Sequence, residues 1–215
     1  FTFDGCRSLK QIVIPCSVTK ILDCAFENCI LLEQVTIPSS VTKIGYGAFE
    51  NCTSLKQIAI PSSLTQIESN VFRNCISLTQ ILIPSSVTKI GEYVFDGCKA
   101  LTQITIPSSV TYIGDYAFNN CTSLIQITIP SSVTIIKPIA FSKCNLLAKV
   151  LFEIPSSIIE IKEDAFCFCT SLTQIAFPAS VNKIYENAFK NCTSLSDISI
   201  SSSISQICEN AFDGC

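Results

Sequence analysis

Apolar and polar residues follow one another along the chain in a pattern that returns about every 23 residues. One copy reads Leu55-x-x-Ile58-x-Ile60-Pro61, in which Ile58 and Ile60 are separated by a single position. Side chains two residues apart share one face of a strand, and proline ends a strand because it has no backbone N–H to donate. The pattern therefore predicts a short strand in every copy, with alternate positions buried and pointing away from the core.

The prolines that follow these strands mark the period. Pro38 and Pro61 are 23 residues apart, whereas Pro155 follows Pro130 after 25. A fixed period of roughly 20 to 50 residues indicates a solenoid, in which each repeat packs only on its neighbours. We predict one β-rich repeat solenoid of about nine repeats over residues 1–215. Both ends lie inside a repeat without a polar capping copy, so we expect an uncapped fragment of a longer array.

Each copy continues with a Pro-Ser-Ser turn, a second short apolar pair such as Val87 and Ile90, and a third segment such as Ala117-Phe118-x-x-Cys121. The phenylalanines of the third segment form one column in the aligned copies: Phe26, Phe49, Phe72, Phe95, Phe118, Phe141, Phe166, Phe189 and Phe212. A column at one level of a coil predicts a core spine rather than a ligand cage.

Ten of the 14 cysteines also share one register: Cys6, Cys29, Cys52, Cys75, Cys98, Cys121, Cys144, Cys169, Cys192 and Cys215. A small buried hydrophobe with a weak S–H donor gives such a column, so we predict reduced, packed thiols. Pairing along the column stays open, because repeats about 4.8 Å apart satisfy the Cα limits of a disulfide. Cys167-Phe168-Cys169 is the one close pair that suggests a metal, but the chain has no histidine, and we expect neither metal nor cofactor.

The stretch Leu124-x-x-Ile127-x-Ile129-Pro130-Ser131-Ser132-Val133, followed by Ala140-Phe141-x-x-Cys144, resembles the 23-residue class of leucine-rich repeats in BspA-like surface proteins of anaerobic bacteria and parasitic protists. The resemblance covers essentially the whole chain. It implies an α/β leucine-rich-repeat solenoid, coiled with a right hand and curved, with a parallel sheet along the concave face. It also implies a secreted or cell-surface location and adhesion to host or matrix proteins.

If the core is fixed by the repeat, a ligand must meet the positions that point away from it. On the main strand the candidates for this binding face are Gln57, Gln80, Leu82, Gln103, Thr105, Ile125, Gln126, Thr128, Lys149 and Leu151. An uncharged, strand-built surface suits a protein or glycan ligand lying along it. The glutamines have a second interpretation, because their amides can also bond to one another in a ladder along the column.

Two further features break the regularity of the surface. Tyr93, Tyr116 and Ile139 occupy one position in three successive repeats and form a second candidate patch, although aromatics on a ridge are often merely tolerated. The repeat over residues 137–155 begins with Lys137-Pro138 and carries a two-residue insertion, Glu153-Ile154. Insertions in solenoids often serve binding, but drift in one copy explains this one equally well.

Charge and composition narrow the function. The net charge is −3 and the 14 Lys and Arg are scattered, which argues against nucleic acid, and no apolar run is long enough to insert into a membrane. Without histidine, a Gly-rich phosphate loop or a serine elbow, we predict no enzyme. The prediction is a binding protein used for adhesion at the cell surface. The alternative is a cytoplasmic structural scaffold or filament-associated repeat protein, which reduced thiols would suit.

Overall fold

The computed structural model describes residues 2–215, and it shows a coil in which each turn, here called a rung, corresponds to one sequence repeat. The main strands are β1 Gln11–Val13, β3 Gln34–Thr36, β5 Gln57–Ala59, β7 Gln80–Leu82, β10 Gln126–Ile129, β12 Lys149–Phe152, β14 Gln174–Ala176 and β16 Asp197–Ser199. The short strands are β2 Lys20–Ile21, β4 Lys43–Ile44, β6 Gln66–Ile67, β8 Lys89–Ile90, β9 Tyr112–Ile113, β11 Ile135–Ile136, β13 Glu160–Ile161, β15 Lys183–Ile184 and β17 Gln206–Ile207.

Every strand pairing that the structure shows is parallel and joins one rung to the next. In β5 and β7, Gln57 lies opposite Gln80 and Ile58 opposite Ile81. Equivalent positions of successive repeats therefore stand in columns, and a buried position in one rung is buried in the next. This confirms the predicted solenoid, while the handedness of the coil stays a prediction.

The third side of each rung, which carries the phenylalanine and the column cysteine of the repeat, is a series of tight turns. In one rung the N–H groups of Gly47, Phe49 and Asn51 donate to carbonyls of the next rung at 2.8–3.1 Å, so they make no bonds four residues back. Gly47 and Asn51 also have φ of 57° and 60°, a left-handed conformation that interrupts a right-handed helix. The α/β part of the prediction is therefore not supported, because residues 2–215 contain no helix.

Stacked phenylalanines form the centre of the core, as predicted. Ring centroids of neighbouring rungs are 5.1–5.9 Å apart along the whole column, from Phe3 and Phe26 to Phe189 and Phe212. The seven rings from Phe49 to Phe189 are almost completely buried. Aliphatic columns surround them, including the leucines from Leu32 to Leu195. Each ring therefore packs on the rungs above and below, which is why one repeat alone has no closed core.

The cysteine column is packed against this spine as free thiols. Each thiol from Cys29 to Cys215 donates from Sγ to a phenylalanine carbonyl of the preceding rung, as Cys98 does to Phe72 at 3.2 Å. Burial raises the pKa of the Cys144 thiol to about 12, so it stays protonated near neutral pH. Cysteine suits this position because it is small and apolar, and because its S–H satisfies a buried carbonyl.

The irregular repeat changes the coil on one side. The inserted Ile154 is 94% exposed, whereas Glu153 turns back and its Oε2 accepts a bond from the Ser131 N–H at 3.1 Å. In regular rungs the second serine of Pro-Ser-Ser donates to a carbonyl of the rung before, as Ser109 does to Val87 at 2.7 Å. Beside the insertion this series is interrupted, because the buried Ser180 Oγ has no hydrogen-bond partner among residues 2–215.

Candidate ligand-binding face

The outward positions of the main strands form a hollow surface. An open groove of about 710 Å³ crosses β3, β5, β7 and the position of Thr105, and we call it the first groove. Five of the predicted face residues line it: Gln57, Gln80, Leu82, Gln103 and Thr105. Leu82 is 74% exposed and offers an apolar contact within this groove. The groove lies on the outward side of the main strands, and the concave shape of that face stays a prediction.

The predicted ladder of glutamine amides does not form. Gln57, Gln80 and Gln103 are exposed, and no hydrogen bond joins two glutamine side chains of this column anywhere in residues 2–215. The long glutamine side chain loses much rotamer freedom when it is fixed, and at an exposed position a single amide bond does not outweigh that loss. The amide donors and acceptors of the first groove therefore face solvent and are free to meet a ligand.

An amide ladder does occur on the third side, where the sequence analysis did not place one. Asn51 donates from Nδ2 to Asn28 Oδ1, and Asn74 donates to Asn51 Oδ1, both at 3.0 Å. These three asparagines are partly buried and have φ between 56° and 60°, a conformation that asparagine tolerates well. A shorter side chain on a fixed backbone makes this ladder possible. The signal was present in the sequence as a repeated asparagine before the column cysteine.

The remaining predicted face residues continue toward the C-terminal rungs. Ile125, Gln126 and Thr128 stand on the rung after the first groove, where Thr128 is half-buried and the other two are exposed. Lys149 and Leu151 belong instead to a second groove of about 260 Å³, which Gln174, Ala176, Asp197 and Ser199 also line. The predicted face is therefore divided into two grooves of different chemistry. The first groove is uncharged, and the second has a cationic and an anionic side chain.

The structure brings the two tyrosines of the second candidate patch together. The rings of Tyr93 and Tyr116 stack with centroids 4.5 Å apart, and both are half-buried. Burial and the neighbouring Tyr116 raise the pKa of Tyr93. Tyr93, Tyr116 and Ile139 have φ of 56° to 58°, where a bulky or branched residue is strained. The patch is thus a stacked pair with Ile139 on the next rung.

A charged network beside this patch was not found from the sequence. Arg73 lies between two carboxylates, with Nε 3.0 Å from Asp96 Oδ2 and a terminal nitrogen 3.4 Å from Glu50 Oε1. Asn119 donates to the other oxygen of Asp96 at 2.8 Å, and the Arg73 guanidinium lies 5.2 Å from the Tyr93 ring centroid. Burial alone would lower the pKa of Arg73, but the hydrogen bond to Asp96 and the negative charges of Asp96 and Glu50 together outweigh it and raise the pKa. The signal was the position after each phenylalanine, which reads Glu50, Arg73 and Asp96 in three successive repeats.

Within residues 2–215, no three or more Cys, Asp or Glu side chains are grouped so that they could hold a metal ion. The same part of the chain has no helix of the length and apolar character needed to cross a membrane.

The parallel columns, the main-strand sheet and the packed spine define a solenoid of the leucine-rich-repeat class. The family described as BspA type leucine rich repeat region matches residues 1–102 and 88–215, in six copies. The chain therefore belongs to the BspA-type leucine-rich-repeat family. A search of curated proteins found no match.

Solved structures agree with this assignment. A leucine-rich repeat protein of T. pallidum is 31% identical with a TM-score of 0.69, over 76% of this chain and 78% of that one. A leucine-rich cell surface protein of Faecalibacterium prausnitzii is 30% identical with a TM-score of 0.55, over 99% and 72%. A leucine-rich repeat protein of Bacteroides ovatus is 27% identical with a TM-score of 0.50, over 99% and 78%.

Proposed function

We propose that this chain is a non-enzymatic binding module whose main-strand face holds a protein or glycan ligand. The observation that carries the proposal is the first groove, in which exposed glutamine amides without partners surround the exposed Leu82. Amides can donate and accept hydrogen bonds at once, so they suit peptide groups and sugar hydroxyls alike. Leu82 adds an apolar contact. Solenoids of stacked repeats generally use such extended concave surfaces for binding.

We further propose that the module acts in adhesion at the cell surface or after secretion. Support comes from the Faecalibacterium prausnitzii relative, which is described as a cell surface protein. The alternative, a cytoplasmic scaffold or filament-associated protein, is favoured by a different observation, the buried column of free thiols. Mass spectrometry of the native protein separates the two, since glycans or disulfides indicate the secreted form and ten or more free thiols the cytoplasmic form.

Binding to purified extracellular-matrix proteins and to a glycan array tests the proposal. We expect at least one ligand to bind the wild type, and we expect Gln103→Lys to reduce that binding at least fivefold, a loss of about 1 kcal/mol that removing one hydrogen-bonding group explains. Gln66→Lys is the matched control, because Gln66 is an exposed glutamine on the short strand β6. Equal binding by the two variants, or no binding to any of the matrix proteins and glycans, would contradict the proposal.

A further inference from the structure

We propose that the second groove binds a peptide segment in the polyproline II conformation that carries an acidic and a basic residue three positions apart. This inference rests on the proposed function, because it names the ligand class for the C-terminal part of the same face. Three observations support it: the placement of two charges, the spacing of the rungs and the unpartnered polar groups between the charges.

Two opposite charges stand in one column of the second groove. Lys149 lies on β12 and Asp197 on β16, with Gln174 of β14 between them. Both charged residues are exposed, and neither makes a salt bridge within residues 2–215. The neighbouring outward residues, Ala176 and Leu151, carry no charge. The groove therefore presents one cation and one anion at its two ends, and charge complementarity selects a ligand that carries both signs.

The spacing of the rungs selects the ligand conformation. Strands of neighbouring rungs lie about 4.8 Å apart, so two rungs place the Cα atoms of Lys149 and Asp197 roughly 10 Å apart. A polyproline II helix rises about 3.1 Å per residue with three residues per turn, so side chains three positions apart share one side at about 9.3 Å. An extended strand repeats on one side after only about 6.8 Å. In an α-helix, side chains three or four positions apart share one side at only about 5–6 Å.

The middle of the groove suits the backbone of such a segment. A polyproline II helix makes no internal hydrogen bonds, so its carbonyls stay available to donors outside the segment. Gln174 provides an exposed amide that has no partner within residues 2–215, and the Ser199 side chain also lines the groove. Leu151, which is about half exposed, offers an apolar contact for a proline ring. The second groove therefore matches the two charges, the three-residue spacing and the available carbonyls of a polyproline II segment.

Fluorescence anisotropy with the whole chain and a labelled peptide tests the inference at low ionic strength, where exposed charges are least screened. The probe is the capped peptide Pro-Glu-Pro-Pro-Lys-Pro, and the spacing control is Pro-Pro-Glu-Lys-Pro-Pro, which has the same composition with adjacent charges. We expect the probe to bind about fivefold more tightly than the control, since an exposed ion pair contributes up to about 1 kcal/mol.

Charge reversals in the protein supply the second arm. We expect Lys149→Asp and Asp197→Lys to weaken probe binding about fivefold or more each, because each replaces an attraction with a repulsion. The double variant Lys149→Asp/Asp197→Lys should return to within about twofold of the wild type, because the peptide can lie in the opposite direction. Lys143→Asp, at an exposed lysine on the third side, is the control and should leave binding unchanged.

The inference is overturned if the probe does not bind, if both peptides bind alike, or if the double variant is no better than the single ones. Those results do not decide the proposed function, because its test uses Gln103 in the first groove and different ligands. If Gln103→Lys still lowers binding to a matrix protein or glycan, the face binds ligands and only the ligand class is wrong. Circular dichroism of each variant confirms that these exposed substitutions leave the fold intact.

Discussion

The third side of the coil and the main-strand face repeat with the same period, yet they use polar side chains in opposite ways. On the third side, Asn51 bonds to Asn28 and Asn74, and each column thiol from Cys29 onward bonds to a carbonyl of the rung before. On the main-strand face, Gln80 and Gln103 have no side-chain partner within the described residues 2–215. The difference shows that a regular column is not by itself a sign of stabilisation. Polar side chains of the third side therefore link neighbouring rungs, whereas these glutamines add no such link to the pairing of the main strands.

The largest expected effect is unfolding at high pH, because the buried thiols of the third side oppose ionisation only in the folded chain. The ordinary cysteine pKa is 9.0, and burial raises that of Cys121, Cys144 and Cys169 well above it. Above pH 9 the unfolded chain loses protons that the folded chain keeps, so the free energy of unfolding falls as pH rises, while below pH 9 the thiols contribute no pH dependence. At about 1.4 kcal/mol per thiol and pH unit, these three alone remove about 4 kcal/mol by pH 10.

We therefore expect circular dichroism, recorded with a reductant present, to show cooperative unfolding between about pH 10 and 11. The coil is expected to have a total stability of only about 5–15 kcal/mol, so the loss from several thiols is enough to unfold it. Cys16→Ser is the control, because Cys16 is exposed and its replacement should leave the midpoint unchanged. A native spectrum at pH 11 would show that the thiol column is not buried as described.

The next effect compares the two regions directly by removing one side chain from each. Phe118→Ala opens a cavity between the rings of Phe95 and Phe141, and we expect a loss of about 3–5 kcal/mol in the free energy of unfolding. Gln103→Ala, on the exposed face, should change it by no more than about 0.5 kcal/mol. Urea unfolding followed by circular dichroism measures both. Similar losses for the two variants would mean that the glutamine column also stabilises the coil.

A smaller effect separates partly buried from exposed ion pairs. Asp96→Ala leaves the Arg73 guanidinium and the Asn119 amide without their shared partner, so we expect a loss of about 1–3 kcal/mol. Glu33→Ala removes only the exposed pair with Lys56 and should cost at most about 0.5 kcal/mol. Urea unfolding at low and high salt measures the difference. High salt should remove the loss at Glu33 and leave most of the loss at Asp96, because salt screens the exposed pair more strongly. Equal effects of the two substitutions would contradict the importance of the Arg73 network.

The smallest effect compares a regular rung with the irregular one. Ser109→Ala removes the bond to the Val87 carbonyl, and we expect a loss of about 1 kcal/mol. Ser180→Ala removes a buried hydroxyl that has no partner in the described chain, so the free energy of unfolding should stay equal or rise slightly. Thermal unfolding of both variants shows the sign of each change in stability. A loss at Ser180 as large as the loss at Ser109 would show that the serine series continues across the insertion.

Much of this architecture was predictable because the repeat fixes which residues stand in columns. Ile58 opposite Ile81 and the ring stack from Phe26 to Phe212 follow from the period alone. The α/β part of the fold prediction was not supported, because the sequence does not show that the N–H of Phe49 bonds to the next rung. Whether a column of amides forms a ladder depends on the length and the burial of its side chains, and their burial is not evident from the sequence.

The candidate site was predicted less completely than the fold. Its outward residues were identified correctly as exposed positions such as Gln57 and Leu82, since alternation on a strand fixes direction. Its division into two grooves was not predicted, because the two groups of lining residues come together only in the assembled coil. The network around Arg73 was not predicted, because its charges lie at the position after each phenylalanine and not on the main strands. Curvature and side-chain reach arise only when all rungs are assembled.

The most direct test of the central claim measures stability and binding together in Gln103→Lys. If the third side holds the coil together and the main-strand face is free for a ligand, the variant should unfold at the same urea concentration as the wild type. It should also bind a matrix protein or glycan at least fivefold more weakly, the loss expected when one hydrogen-bonding group worth about 1 kcal/mol is removed. A variant that unfolds earlier, or that is equally stable and binds equally well, would contradict the claim.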